Sequence, residues 1–86
     1  MSVKILIPAL IRKHVEGREV VEVYGATVSQ CIDELRDRYP DVERWLYKDS
    51  KVATYVHIGV NGKRATVDTP VNDGDEIKVL LAPGGG

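Results

Sequence analysis

The chain has 86 residues, 43% of them apolar and 29% charged, with a formal net charge of −1. A chain this short supports one domain, because it buries only about 60–65% of the surface it exposes when unfolded and cannot divide that into two cores. The balanced charge excludes a disordered polyelectrolyte and offers no electrostatic footprint for nucleic acid, and the single cysteine, Cys31, excludes an internal disulfide and fits a reducing cytoplasm.

The opening segment SVKILIPA alternates Val3, Ile5 and Ile7 against Lys4, Leu6 and Pro8, the period of two expected of a strand. Pro8, which has no N–H to give to a ladder, should close it or lie at an edge. The apolar stretch is too short to span a bilayer and no basic segment precedes it, so no membrane partner is expected. LIRKHVEG reads as a loop whose basic residues Arg12, Lys13 and His14 form a loop face or part of a protein contact. REVVEVYG then places Val21 and Val23 opposite Val20, Glu22 and Tyr24, a second strand completing an opening hairpin.

TVSQCIDELRDRYP changes to a helical period: Val28, Cys31, Ile32, Leu35 and Tyr39 fall on one stripe and Ser29, Asp33, Glu34, Arg36 and Asp37 on the other. Thr27 with Gln30 predicts a capping box, and Pro40 a stop. DVERWLYKD is expected to make a short helical turn with Val42, Trp45 and Leu46 as its apolar contacts. TYVHIGV alternates Val56, Ile58 and Val60 against Tyr55, His57 and Gly59, and it leads into Asn61-Gly62, a dipeptide suited to a tight hairpin turn. A short return strand over Lys63 to Thr66 follows. After Asp73-Gly74, Ile77, Val79 and Leu81 alternate with Glu76, Lys78 and Leu80, predicting a last strand. One helix on one sheet of four to five strands is an α+β layer of the β-grasp type. The expected division is a β-grasp domain over residues 1–83 and a flexible glycine tail over 84–86.

Chemistry inside this domain is sparse. His14 and His57 have no paired cysteine or carboxylate pattern around them, and Cys31 on the apolar stripe reads as a small buried hydrophobe. NDGDE lacks the ligand spacing and terminal glutamate of an EF-hand loop, so no metal is expected there. A plant-type iron–sulfur cluster takes four cysteines, and Gly84, Gly85 and Gly86 lack the following helix a phosphate loop requires. No catalytic residue and no bound cofactor are expected, which moves attention to the glycine carboxylate.

VKILIPALIRKHVEGREVVEV, TVSQCIDELRDRYPDVERWL and VNGKRATVDTPVNDGDEIKVLLAPGGG together resemble the ubiquitin-like sulfur carriers of the MoaD/ThiS family across nearly the whole chain. IPALIRKH and the tyrosine-proline after the helix look most like the CysO-type carriers. The resemblance implies that an ATP-using adenylating enzyme activates the terminal glycine, that sulfur replaces AMP to leave a thiocarboxylate, and that a sulfur-accepting synthase then draws on it. The product would be cysteine or a related sulfur amino acid, with molybdopterin and thiamine the other pathways served by such carriers. On this chain the reacting carboxyl is that of Gly86, with Gly84 and Gly85 as its approach; the family usually has two terminal glycines rather than three. The docking surface is expected beside the tail at Leu80, Leu81, Ala82 and Pro83. Leu80 is the better interface residue, because Leu81 shares the core face of Ile77 and Val79. A monomer forming transient hetero-complexes is expected. A ubiquitin-like modifier conjugated through Gly86 is the alternative, since it begins with the same adenylate, and a plain binding module is a third reading.

Overall fold

The computed structural model describes residues 2–81. The strands are β1 (Ser2–Leu6), β2 (Val20–Tyr24), β3 (Tyr47–Lys48), β4 (Lys51–Val52), β5 (Val56–Val60), β6 (Lys63–Ala65) and β7 (Glu76–Leu81); the α-helices are α1 (Val28–Arg38) and α2 (Glu43–Leu46). Five strands form one mixed sheet in the order β2-β1-β7-β5-β6, in which β1 and β7 run parallel and the other pairs antiparallel. One sheet face carries α1 and the core; the other lies open. This is the α+β β-grasp arrangement that the element order predicts.

The alternation seen in the sequence is the alternation of burial. Val3 and Ile5 on β1, Val21 and Val23 on β2, Val56 and Ile58 on β5, and Ile77 and Val79 on β7 all face inward. Against them α1 lays Val28, Cys31, Ile32 and Leu35. Each such side chain contributes about 1.5–3 kcal/mol by leaving water. Thr27 sits in extended backbone at the N-cap of α1 and its hydroxyl accepts the Gln30 N–H at 3.2 Å. The Gln30 side chain reaches back to the N–H of Ala26 at 2.8 Å, one residue before the position a standard capping box uses. Tyr39, expected on the helical stripe, is instead the residue that ends the helix, its N–H on the Leu35 carbonyl. Its hydroxyl donates to Glu16 at 2.9 Å.

Three segments differ from expectation. Ala9–Val15 is a 3-10 helix rather than a loop, burying Ile11 and Val15 and ending through left-handed Glu16 and Gly17. β1 stops at Leu6, so Ile7 and Pro8 lead into that helix. β3 and β4, which the sequence did not announce, pair as a small hairpin whose turn residues Asp49 and Ser50 both have positive φ without a glycine. The Asn61-Gly62 turn forms as predicted, with φ 51° and 83°, and the return strand after it ends at Ala65, one residue short. The short helical turn at 40–46 is a 3-10 turn (Pro40–Val42) running into α2, with Val42 and Leu46 buried. No helix among the described residues is long and apolar enough to cross a membrane.

Candidate functional site

The open sheet face is laid out by strand register. Val20 pairs with Leu6, Leu6 with Lys78, Lys78 with Gly59 and Gly59 with Arg64, so these five residues form one row across all five strands. The adjacent row toward the end of β7 holds Leu80 beside His57. The row on the other side holds Glu22, Lys4 and Glu76. Acidic side chains therefore sit away from the end where β7 gives way to the C-terminal residues, and basic and apolar ones sit toward it.

Leu80 is 51% exposed and Val20 41%, large apolar surfaces for side chains on an open sheet. Leu81 turns to the opposite face and packs partly against the core. The assignment of Leu80 outward and Leu81 inward thus follows the alternation. Ala82, Pro83, Gly84, Gly85 and Gly86 lie outside the described residues.

Between β7, β5 and β6 the outer face dips into a cleft of about 500 Å³, with His57, Gly59, Arg64, Lys78 and Leu80 among its lining residues. Sequence reasoning had assigned none of Gly59, Arg64 or Lys78 a role. The available signal was Gly59 itself, a residue without a side chain interrupting an otherwise regular strand. His57 is exposed on this face.

The other candidates lie elsewhere. Cys31 is fully buried on the core face of α1, and burial, followed by the nearby Glu34 carboxylate, pushes its thiol up. A thiol held neutral in that way is a poor nucleophile. His14 lies in the 3-10 helix with its ring centroid 6.0 Å from that of Trp45. His14 Nε2 and Trp45 Nε1 are both buried without a hydrogen-bond partner among the described residues. On the helix side, the Tyr47 hydroxyl donates to Asp33 while the Arg36 guanidinium lies over its ring at 4.7 Å. Burial and then that hydrogen bond push the Tyr47 hydroxyl well above the usual phenol range, which marks a structural contact rather than a reactive group. In the NDGDE loop, Asp75 accepts from the Asn72 N–H and from the Asn61 amide, bonds that lower its carboxyl below the usual range and that tie the loop to the β5–β6 turn. Among the described residues no three or more His, Cys, Asp and Glu residues come together as metal ligands would.

With this geometry in view, the comparison with known proteins is decisive on family. A model of the ThiS family matches residues 5–86. The chain belongs to the ThiS family. Among solved structures it is similar to CysO in the Amycolatopsis orientalis BexX/CysO complex, at 32% identity over 98% of this chain and 99% of that one, with a TM-score of 0.85. It is also similar to CysO from Mycobacterium tuberculosis, described as an antigen, at 29% identity over 93% and 98% of the two chains and a TM-score of 0.82. The small archaeal modifier protein 1 of Methanosarcina acetivorans shares the fold, at 23% identity over 99% and 96% of the two chains and a TM-score of 0.87. No curated protein sequence matches. The chain is thus a ubiquitin-like domain, in a family of small carrier proteins rather than catalysts. Two of the similar structures are hetero-complexes, BexX/CysO and the two subunits of molybdopterin-converting factor from Helicobacter pylori.

Proposed function

We propose that this chain is a sulfur carrier whose Gly86 carboxylate is adenylated and then converted to a thiocarboxylate, for the synthesis of cysteine or a related sulfur amino acid. The observation that carries the reading is the 32% identity with CysO over essentially the full length of both chains, next to the ThiS match that reaches Gly86. A carboxylate is a poor acyl donor because its charge repels nucleophiles and oxide is a very poor leaving group. In the activating step a Gly86 carboxylate oxygen attacks the α-phosphorus of ATP and pyrophosphate leaves. In the second, hydrosulfide attacks the carboxyl carbon of the acyl-adenylate, AMP leaves with the bonding pair, and loss of the S–H proton leaves the thiocarboxylate. Both are catalysed by the partner enzyme.

The residues of this chain supply reach and docking. Glycine has no Cβ to crowd the planar acyl centre and adopts backbone angles closed to other residues. Three such residues span at most roughly 10 Å when fully extended, at ~3.3–3.6 Å per residue. The proline ring at position 83 restricts backbone rotation at the root of that segment. Ordering the glycines costs about 1–2 kcal/mol each, so docking of the folded body has to offset several kcal/mol. The exposed Leu80 and the rest of its sheet face are suited to that docking.

The test is deletion of Gly85 and Gly86 in a chain whose circular dichroism is unchanged, assayed with the cognate adenylating enzyme. ATP-dependent AMP transfer should vanish, and the intact protein from its native cells should show the mass gain of one oxygen replaced by sulfur. Undiminished AMP transfer to the truncated chain would refute the proposal. Isopeptide conjugates in place of the mass gain would assign the chain as a modifier instead.

A further inference from the structure

Gly59 is the fourth of the five residues of β5, a strand hydrogen-bonded on both sides, and nothing in the backbone requires a glycine there. Its φ is not positive, and the registers with β6 and β7 run through it without a bulge. A glycine inside a strand weakens it and marks a place where something approaches the backbone closely. An added Cβ would meet the Lys63 carbonyl alone, its oxygen at 3.4 Å and its carbon at 4.0 Å, which is ordinary contact, so the missing side chain is not owed to crowding within the fold. What its absence creates is a recess in the floor of the outer-face cleft.

The walls of that recess are cations. Lys78 on β7 and Arg64 on β6 are the register partners of Gly59 on its two sides, and both are exposed. The ion pairs formed among the described residues involve Arg12, Arg18, Arg36 and Arg38 and neither of these two. The next row adds His57 and the half-exposed Leu80. An arrangement of two cations astride a side-chain-free floor, with a large apolar side chain beside it, is complementary to a carboxylate flanked by an apolar residue. Arg64 can hold both oxygens of such a group through its planar guanidinium, while Lys78 contributes a point charge.

We propose that the Gly59 recess receives an acidic side chain of the adenylating enzyme, held between Arg64 and Lys78, with an apolar side chain of the same enzyme segment covering Leu80. The proposal rests on the carrier reading for the identity of the partner, but it concerns docking and not the chemistry at Gly86. The recess lies on the rows nearest the end of β7, so the contact would hold the carrier by the end of the sheet at which the described residues stop.

The experiment measures binding of the full chain to the cognate adenylating enzyme without ATP, followed by the KM and kcat of AMP transfer with ATP. Arg64→Glu and Lys78→Glu should each raise Kd and KM about tenfold with kcat little changed, a tenfold change being ~1.4 kcal/mol. Gly59→Ala should raise both several-fold while circular dichroism stays native. Arg64→Gln should fall between wild type and Arg64→Glu, and Lys51→Glu, on β4, should match wild type. The wild-type affinity should fall as salt rises, and inorganic phosphate should compete no better than chloride at equal ionic strength. Unchanged Kd for Arg64→Glu and Lys78→Glu would overturn the inference, and so would a specific phosphate effect, which would make the recess an anion site. Sensitive binding without any adenylate would leave the recess standing and remove the carrier chemistry; normal adenylation with insensitive binding would do the reverse.

Discussion

Val79 and Leu80 are consecutive residues of β7 with opposite environments, 2% and 51% exposed, so truncating each tests the assignment of the two faces. Val79→Ala removes two methyl groups from a closed site, at about 0.8 kcal/mol each for transfer. The space they leave, ~40 Å³ at ~24 cal/mol per Å³, adds about 1 kcal/mol, giving ~2.5 kcal/mol in all. Leu80→Ala removes more carbon, but roughly half of it is already in water and no cavity forms, so the loss is about 1 kcal/mol. For a domain of this size each kcal/mol moves Tm by about 4–8 °C, which separates the two variants by ~6–12 °C in a thermal melt followed by circular dichroism. Binding to the adenylating enzyme should respond in the opposite order, weakened by Leu80→Ala and unaffected by Val79→Ala below its melting range. A Leu80→Ala loss equal to that of Val79→Ala would refute the burial argument, and unchanged binding of Leu80→Ala would refute its place on the docking face.

Gly25→Ala should cost about 1–3 kcal/mol by overpacking, since the new Cβ would lie 3.0 Å from the Cys31 nitrogen, the Cys31 Sγ and the Gln30 Cβ; a urea melt with an unchanged midpoint would contradict it. Replacing Asp49-Ser50 with Asn-Gly should stabilise by roughly 0.5–1 kcal/mol, because both positions have positive φ and this pair adopts the tight hairpin turn most readily; a lowered Tm would count against that turn. The Cys31 thiol, raised above its ordinary 9.0, should resist iodoacetamide in the native protein and react once urea unfolds it. The folded state keeps that proton to higher pH than the unfolded chain does, so stability should fall as pH rises above about 9. In Cys31→Ala that part of the alkaline loss should be absent, as read from urea midpoints at pH 8 and 10.

Much of the fold was legible locally. The strand alternations at Val3-Ile5, Val21-Val23, Val56-Ile58 and Ile77-Val79, the stripe Val28-Cys31-Ile32-Leu35, the Thr27 cap and the Asn61-Gly62 turn each depend on residues a few positions apart, and each formed. The 3-10 helix Ala9–Val15 was not legible, because its buried Ile11 and Val15 are four apart and do not show the three-residue repeat of such a helix, next to Pro8 and a basic run. The β3–β4 hairpin was missed because Asp49 and Ser50 adopt the left-handed region without the glycine that normally signals it.

The sequence by itself determined the faces: alternation decides which side chains can leave water, and it put Leu80 out and Leu81 in without knowledge of any neighbour. It also shows no paired nucleophile-and-base pattern, which is why the proposed chemistry falls to the Gly86 carboxylate. Only the tertiary structure decided which faces come together. Lys78, Gly59 and Arg64 become one row because β5 lies between β7 and β6, in a sheet whose buried side chains close over α1. Two charges and a missing side chain, 5 to 19 positions apart in the chain, have no local pattern; they acquire a common recess when backbone hydrogen bonds set three strands in register.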